Sequence, residues 1–342
     1  MSASGRIAAA AHHARACSLA TVIACSLVGS PGWADALAPG DYEGSFRYQG
    51  HDRTYEFRVP TGYDGSASVP LVLDLHGFGS FGGQQKLVSG YAPLADAEGF
   101  VVAHPDGIPN AQSEGNAWNI ESCCGTAAAL DVDDVSFLKV LAGVIAEQVA
   151  IDASRIYATG LSNGGGMSHR LGCEGADFFA AVAPMAFPIP YFDAADCQPV
   201  QPQPVQLTMG LTDTVVPYAG AVPSFEYWRD VNGCVDPAET TFMQGAASCD
   251  THDQCEGGVV VTLCSVVGRD FTGTLLEDVS GHILYANEDG VNLARESWTF
   301  LSGFQQIPPP VLVPEPGRGA QGATVLLGLA VLTRSRTRGS RA

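Results

Sequence analysis

Lysine is almost absent from this sequence. The 342-residue chain has two, Lys86 and Lys139, and 17 basic residues in all against 36 acidic ones. Between Leu37 and Pro314, 10 basic residues face 34 acidic ones, a net charge of −24. Such a surface repels polyphosphates and anionic membranes at long range, so no nucleic-acid partner is expected. No apolar run reaches the ~20 residues of a membrane helix. No internal repeat or propeller-like pattern is visible. Metal-ligand spacing is also scarce. Cys249 and Cys255, with His252 between them, have no second compact ligand pair beside them, so no metal is expected.

The chain is 46% apolar and carries 40 glycines. Its two ends differ from the rest. Arg6 and Arg15 precede the apolar stretch 16–29, and Ala34-x-Ala36 follows, so residues 1–36 read as a secretory signal peptide. "VIAC" at 22–25 resembles a lipobox, which leaves lipoprotein processing at Cys25 as a variant. Residues 306–318 are a Pro-rich linker, extended by composition. Residues 319–342 join a short apolar segment to an arginine-rich tail, and with Pro314-Glu315-Pro316 before them they resemble a PEP-CTERM sorting signal. That resemblance implies a bacterial protein, secreted or associated with the cell envelope, with a sorting protease as a partner at the C-terminus.

Eight cysteines remain beyond residue 36, an even number, which in an exported chain favours disulfides. The expected pairs are Cys234–Cys264 and Cys249–Cys255, with Cys123 and Cys124 joined to Cys173 and Cys197.

Residues 37–305 alternate between two patterns. Short apolar runs at 69–77, 99–107, 154–160, 179–186, 203–211 and 273–279 read as strands. Segments 84–97, 132–149 and 290–304 have helical spacing, with Val135, Leu138, Leu141, Val144 and Ile145 on one face of the second. Strands alternating with helices predict an α/β domain with a mostly parallel, doubly wound sheet flanked by helices. A monomer is expected.

Gly160-Leu161-Ser162-Asn163-Gly164 is a G-x-S-x-G pattern. In a glycine-rich chain the bare pattern means little. Here it follows a predicted strand and precedes a predicted helix, the context in which a serine sits exposed on a sharp turn. Ser162 is therefore the candidate nucleophile. The base must follow it. His12 and His13 lie in the leader, His51 in an N-terminal polar hairpin and His252 in the cysteine loop. His104 precedes the serine, and His169 sits about two turns along its helix. His282 remains, on a loop before the last helix. The acid should fall between serine and histidine, and Asp213, at a turn after a strand, is preferred over Asp278. Asp133 and Asp134 read as helix N-terminal charges. A tetrahedral intermediate needs preorganised donors. The candidates are the backbone N–H of Asn163 and, from the glycine-rich loop 75–83, that of Phe78. Trp118 and Tyr218 are candidate substrate contacts.

Taken together, "LHGFGS", "HPDG", "WNIESCCG", "DVDDVSF", "ATGLSNGGGMSHRLGCEGADFFAAVAPM" and "GLTDTVVPY" resemble the secreted polyhydroxybutyrate depolymerase/feruloyl esterase-like family, related to carbohydrate esterase family 1. The resemblance spans roughly residues 40–305. It implies an α/β-hydrolase fold, ester hydrolysis without a cofactor, and Ser162, Asp213 and His282 as the triad. Two features depart from the family pattern. The usual glycines before the histidine and the polar-aromatic pair after it are replaced by "VSGHIL", so Ile283 and Leu284 are expected to alter the substrate wall. Met209 also stands where a histidine usually precedes Gly210. The expected reaction is acyl transfer to water on polysaccharide esters or hydroxyalkanoate polyesters. Its rivals are a peptidase using the same triad and a non-catalytic envelope or carbohydrate-binding protein on this scaffold.

Overall fold

Residues 37–121, 123–189 and 197–312, with a two-residue strand at Thr333–Arg334, are described by a computed structural model. The expected signal peptide, the end of the linker and all but that strand of the sorting tail lie outside the described residues.

The chain enters through a hairpin, β1 (Gly40–Tyr48) and β2 (His51–Val59), whose residues alternate between buried and exposed. Next come β3 (Val69–Leu75), α1 (Gly82–Ser89), α2 (Tyr91–Glu98) and β4 (Val101–Pro105). The expected single helix over 84–97 is two, because Gly90, at φ 78°, ends α1 in a left-handed turn. Two short strands, β5 (Ile108–Pro109) and β6 (Asn116–Ala117), pair with each other. Then follow α3 (Gly125–Ala129), α4 (Asp134–Ala146), β7 (Ile151–Leu161), α5 (Asn163–Glu174), β8 (Ala181–Met185), β9 (Val205–Gly210) and α6 (Ala221–Val231). The chain continues through β10 (Glu239–Gln244), β11 (Ala247–His252), β12 (Val261–Val266) and α7 (Leu293–Leu301). The Thr333–Arg334 strand is β13 and pairs with β1.

The main sheet runs β10-β11-β12-β9-β8-β7-β3-β4-β2-β1-β13. Neighbours from β12 to β4 are parallel, and both flanks are antiparallel. Period-two alternation sorts the core into two layers. Leu71, Leu73, Ile156, Ala158 and Val182 face α4, α5 and α6, and pack with Phe137, Met167 and Trp228. Val72, Tyr157, Ala181 and Ala183 face the other way, against Tyr91 and Leu94 of α2 and Trp298 of α7. Burial on both faces explains why the central strands read as continuous apolar runs.

Three sequence expectations are corrected. The expected strand 273–279 is a loop with a single 3₁₀ turn at Glu277–Val279, and Leu275 and Leu276 are exposed. The sheet instead recruits β10, β11 and β12. The cysteine pairs also differ: Cys123–Cys124, Cys173–Cys197, Cys234–Cys255 and Cys249–Cys264. Cys249 and Cys264 are opposite each other in the β11–β12 register, which brings them together. Finally, Asp133 caps α4 by accepting from the Ser136 N–H at 2.9 Å, as expected of a helix N-terminal charge. Asp134 does something else: it is fully buried and pairs with the equally buried Arg53 at 2.7 Å.

Candidate active site

In a parallel sheet the strand carboxyl ends share one edge, where loops can converge. β3, β7, β8 and β9 end there at Leu75, Leu161, Met185 and Gly210. Ser162 occupies the apex between β7 and α5, with φ 56° and ψ −120°. A non-glycine residue held at such angles costs of order 1–3 kcal/mol. The surrounding packing enforces it. The Ser162 N–H donates to the Met185 carbonyl at 2.9 Å. Gly160, Gly164 and Gly165 allow α5 to start against the main chain of β3 and β8. A Cβ on Gly164 would lie 2.2 Å from the Leu75 carbonyl oxygen, and one on Gly165 would lie 2.2 Å from that of Met185. The motif's glycines are therefore demanded by close approach.

The His282 Nδ1–H donates to Asp213 Oδ2 at 2.7 Å, so the structure joins these two residues, 69 positions apart. The other carboxylate oxygen of Asp213 accepts from the N–H groups of Val215 and Val216, both at 2.8 Å. Those two donors were missed in the sequence because turn geometry supplies them. The acid and histidine loops are bound to each other through main chain. Thr214 N and Oγ1 both donate to the Ser280 carbonyl, at 3.1 and 2.7 Å, and Thr212 Oγ1 donates to that of Gly268 at 2.9 Å. Gly281, at φ 74°, approaches so closely that a Cβ would meet the Thr212 carbonyl oxygen at 2.2 Å.

Among the described residues the Ser162 hydroxyl makes no hydrogen bond to His282; the segments that carry the two meet through shared packing. Leu161, beside the serine, shares a buried cluster with Met185, Val266 and Leu284, two residues past His282. Leu284 is fully buried, and a Cβ on Gly210 would lie 2.7 Å from its Cδ2. Leu284 is therefore a wedge between the histidine loop and β9, and not the altered substrate wall expected of it. Ile283 is half-buried. A second tie runs below. Gln85 Nε2 donates to Asp74 Oδ1 of β3 at 2.7 Å and to the Tyr285 hydroxyl at 3.2 Å. Burial and the nearby Asp74 carboxylate push the Tyr285 phenol well above its ordinary pKa, so it stays protonated.

On the other side of Ser162 lies the loop after β3. A Cβ on Gly77 would sit 3.4 Å from the Ser162 Cβ. Phe78 follows, half exposed, and among the described residues its N–H meets no acceptor. The Asn163 N–H belongs to the first turn of α5, whose donors have no acceptor within the helix. The Asn163 side chain was not singled out by sequence. Its Oδ1 accepts from the Trp118 N–H at 2.8 Å, and its Nδ2 donates to the Trp118 carbonyl at 3.2 Å.

Trp118 itself requires a correction. It is wholly buried, with its indole N–H donating to the His76 carbonyl at 3.0 Å, so in this conformation it offers a substrate no surface. Tyr218 is half-buried, and its hydroxyl is hydrogen-bonded to Ser265 Oγ at 2.6 Å. His104 is buried beside Asp74, 3.2 Å away, and does not line an open cleft. His76 accepts from the Gly107 N–H through Nε2 at 3.0 Å and donates through Nδ1 to the Gly77 carbonyl at 2.8 Å. Burial lowers its pKa to about 4. His169 is lowered to about 3, also by burial, and accepts from the Trp228 indole N–H at 3.1 Å. Both rings are thus neutral structural groups. Among the described residues no cluster of acidic, histidine or cysteine side chains could hold a metal ion.

The family model described as "Esterase PHB depolymerase" matches residues 54–236. Feruloyl esterase B of Piromyces equi is 34% identical over 265 residues, covering 72% of this chain and 44% of that protein. The bifunctional acetylxylan esterase/xylanase XynS20E of Neocallimastix patriciarum is 27% identical over 228 residues, covering 65% of this chain and 31% of that protein. The chain thus spans less than half the length of these two relatives. Among solved structures, a thermostable esterase superposes with a TM-score of 0.52 at 19% identity, over 76% of this chain and 62% of that one. An acetyl xylan esterase from Aspergillus awamori gives 0.50 at 13% identity, over 73% and 94%. These likenesses place the architecture among the α/β-hydrolases.

Proposed function

Because the chain belongs to the esterase PHB depolymerase family, we propose that it is a serine carboxylic ester hydrolase in which Ser162, His282 and Asp213 act as nucleophile, base and acid. The observation that carries this reading is the 2.7 Å bond from the His282 imidazole to the Asp213 carboxylate, across the strand ends from a serine held on a strained elbow. Asp213 fixes the tautomer, leaving Nε2 to take the serine proton. Ser162 Oγ then bonds to the ester carbonyl carbon. The oxyanion forms toward the N–H groups of Phe78 and Asn163, the C–O bond to the alcohol breaks, and the alcohol leaves with the proton from His282. Water, deprotonated by the same ring, adds to the acyl carbon, the acyl–Oγ bond breaks, Ser162 Oγ takes back the proton from His282, and the acid is released.

The relatives' names support feruloyl or acetyl esters on plant polysaccharides, or hydroxyalkanoate polyesters, as the proposed substrate class. Export of the chain is supported by its four disulfides, which persist in oxidising compartments. Turnover of p-nitrophenyl acetate, methyl ferulate, a hydroxybutyrate oligomer and a peptide amide tests the reading. Hydrolysis of esters but not the amide is expected, and loss by a factor of about 10³ or more in Ser162→Ala. Amide turnover would favour a peptidase. Activity surviving Ser162→Ala would remove the serine from the mechanism.

A further inference from the structure

Building on the esterase reading above, we infer that Trp118 is a positioning residue that holds both halves of the oxyanion hole in register. The two proposed donors lie on separate elements, one on the loop after β3 and one on the first turn of α5. Trp118 bonds to both elements. Its main-chain N–H and carbonyl form a two-bond clamp on the Asn163 side chain, at 2.8 and 3.2 Å. Its indole N–H holds the His76 carbonyl at 3.0 Å, two residues before Phe78.

Asn116, two residues before Trp118, extends the clamp. The Asn116 N–H donates to the Ser80 carbonyl at 2.8 Å, and the Gly79 N–H donates to the Asn116 carbonyl at 2.9 Å. Residues 116–118 are thus laced along 76–80 on one side and fastened to Asn163 on the other.

The clamp is rigidly supported from behind. Asp134 accepts from the Asn119 N–H at 2.8 Å and pairs with Arg53, whose guanidinium lies 5.7 Å from the Trp118 ring. Arg170 donates to the Asn119 carbonyl at 2.9 Å. Any buried indole N–H and peptide need partners; what is particular here is that the partners are the His76 carbonyl and the Asn163 side chain, one on each element that carries a proposed donor. Donors aimed at a developing oxyanion are worth most when they cannot reorient, so a residue that fixes both donor-bearing segments acts on the transition state and not on substrate binding.

Trp118→Phe keeps the main-chain clamp and most of the apolar contact, and removes the indole N–H together with a small part of the ring. Steady-state kinetics on p-nitrophenyl acetate should show kcat lowered about tenfold or more, with KM held within about twofold. Inhibition by an aryl trifluoromethyl ketone, which forms a tetrahedral adduct with an active serine, should weaken by the same factor as kcat. An unchanged kcat would overturn the inference. So would a raised KM with unaltered kcat and inhibition, which would return Trp118 to the substrate wall. If Trp118→Phe does not melt cooperatively, Asn163→Ala takes its place: it releases the clamp from the α5 side and leaves the N–H in place. The same joint fall in kcat and ketone affinity is expected, and its absence is equally fatal. The underlying esterase reading fails separately, if the wild-type enzyme forms no ketone adduct or if Ser162→Ala forms one just as tightly.

Discussion

The two sides of Ser162 are built by different means. On one side, His76, Trp118 and Asn163 are almost wholly buried, and a buried ion pair stands behind them. On the other, the acid and histidine loops are stitched together by main-chain bonds and glycine contacts and carry exposed residues such as Leu211, Val215 and Leu276. The contrast follows the work proposed for each side. Stabilising an oxyanion needs fixed dipoles, and a packed interior supplies them. Moving a proton twice needs an imidazole free to shift by a fraction of an ångström, and a loop allows that.

The sharpest test removes the loop-side carboxylate. Asp213→Asn should lower kcat by about 10⁴ with little change in melting temperature, because the lost charge acts on the ring and not on the core. A large drop in melting temperature would show that the loop side is structural as well, and would dissolve the contrast. Next is the buried side. Asp134→Ala strands the Arg53 guanidinium inside the protein and should destabilise the fold by about 3–5 kcal/mol in chemical denaturation. A loss below 1 kcal/mol would mean that the pair is not sealed from water.

Acid titrates the same side more gently. His76 and His169, depressed to about 4 and about 3 by burial, take up protons near 6.5 once unfolded. The unfolded chain therefore binds more protons below that pH. Stability present above 6.5 should fall as pH drops toward 4, at up to roughly 1.4 kcal/mol per pH unit for each ring. Melts of the wild type and of His169→Gln between pH 7 and 4.5 check this, and an identical slope in the two would remove His169 as a cause. The smallest effect belongs to Asp278, the competing acid, exposed in the 3₁₀ turn of the histidine loop. Asp278→Ala should change stability by no more than about 0.5 kcal/mol and leave kcat unaltered. A loss of activity matching Asp213→Asn would reassign the acid.

The sequence made the centre of this molecule readable and its flank opaque, for physical reasons. β3, β7, β8 and β9 are buried on both faces, so their apolar runs stand out. β10, ETTFMQ, is exposed along nearly its whole length and has no such mark. The exposed pair Leu275–Leu276 imitated a strand, since composition alone cannot say that a loop leaves two leucines in solvent. Ser162, Asp213 and His282 stand out as candidates because their order and local turns are written in sequence, and the fold brings the last two of them together. The cysteine pairs depended on strand register, as at Cys249–Cys264, which lies beyond pattern reading. Trp118 was singled out for the wrong task. Only the fold reveals that its main chain faces Asn163 and its indole faces His76.

Asp213 is held by its own turn. Its Oδ1 is secured by two peptide N–H groups of its own turn, so the histidine on Oδ2 is not its sole support. The carboxylate is an anchored pivot. In the proposed mechanism the ring would rock toward the serine in the first half-cycle and toward an incoming water in the second while tethered through Nδ1, and the anchor need not be rebuilt between them.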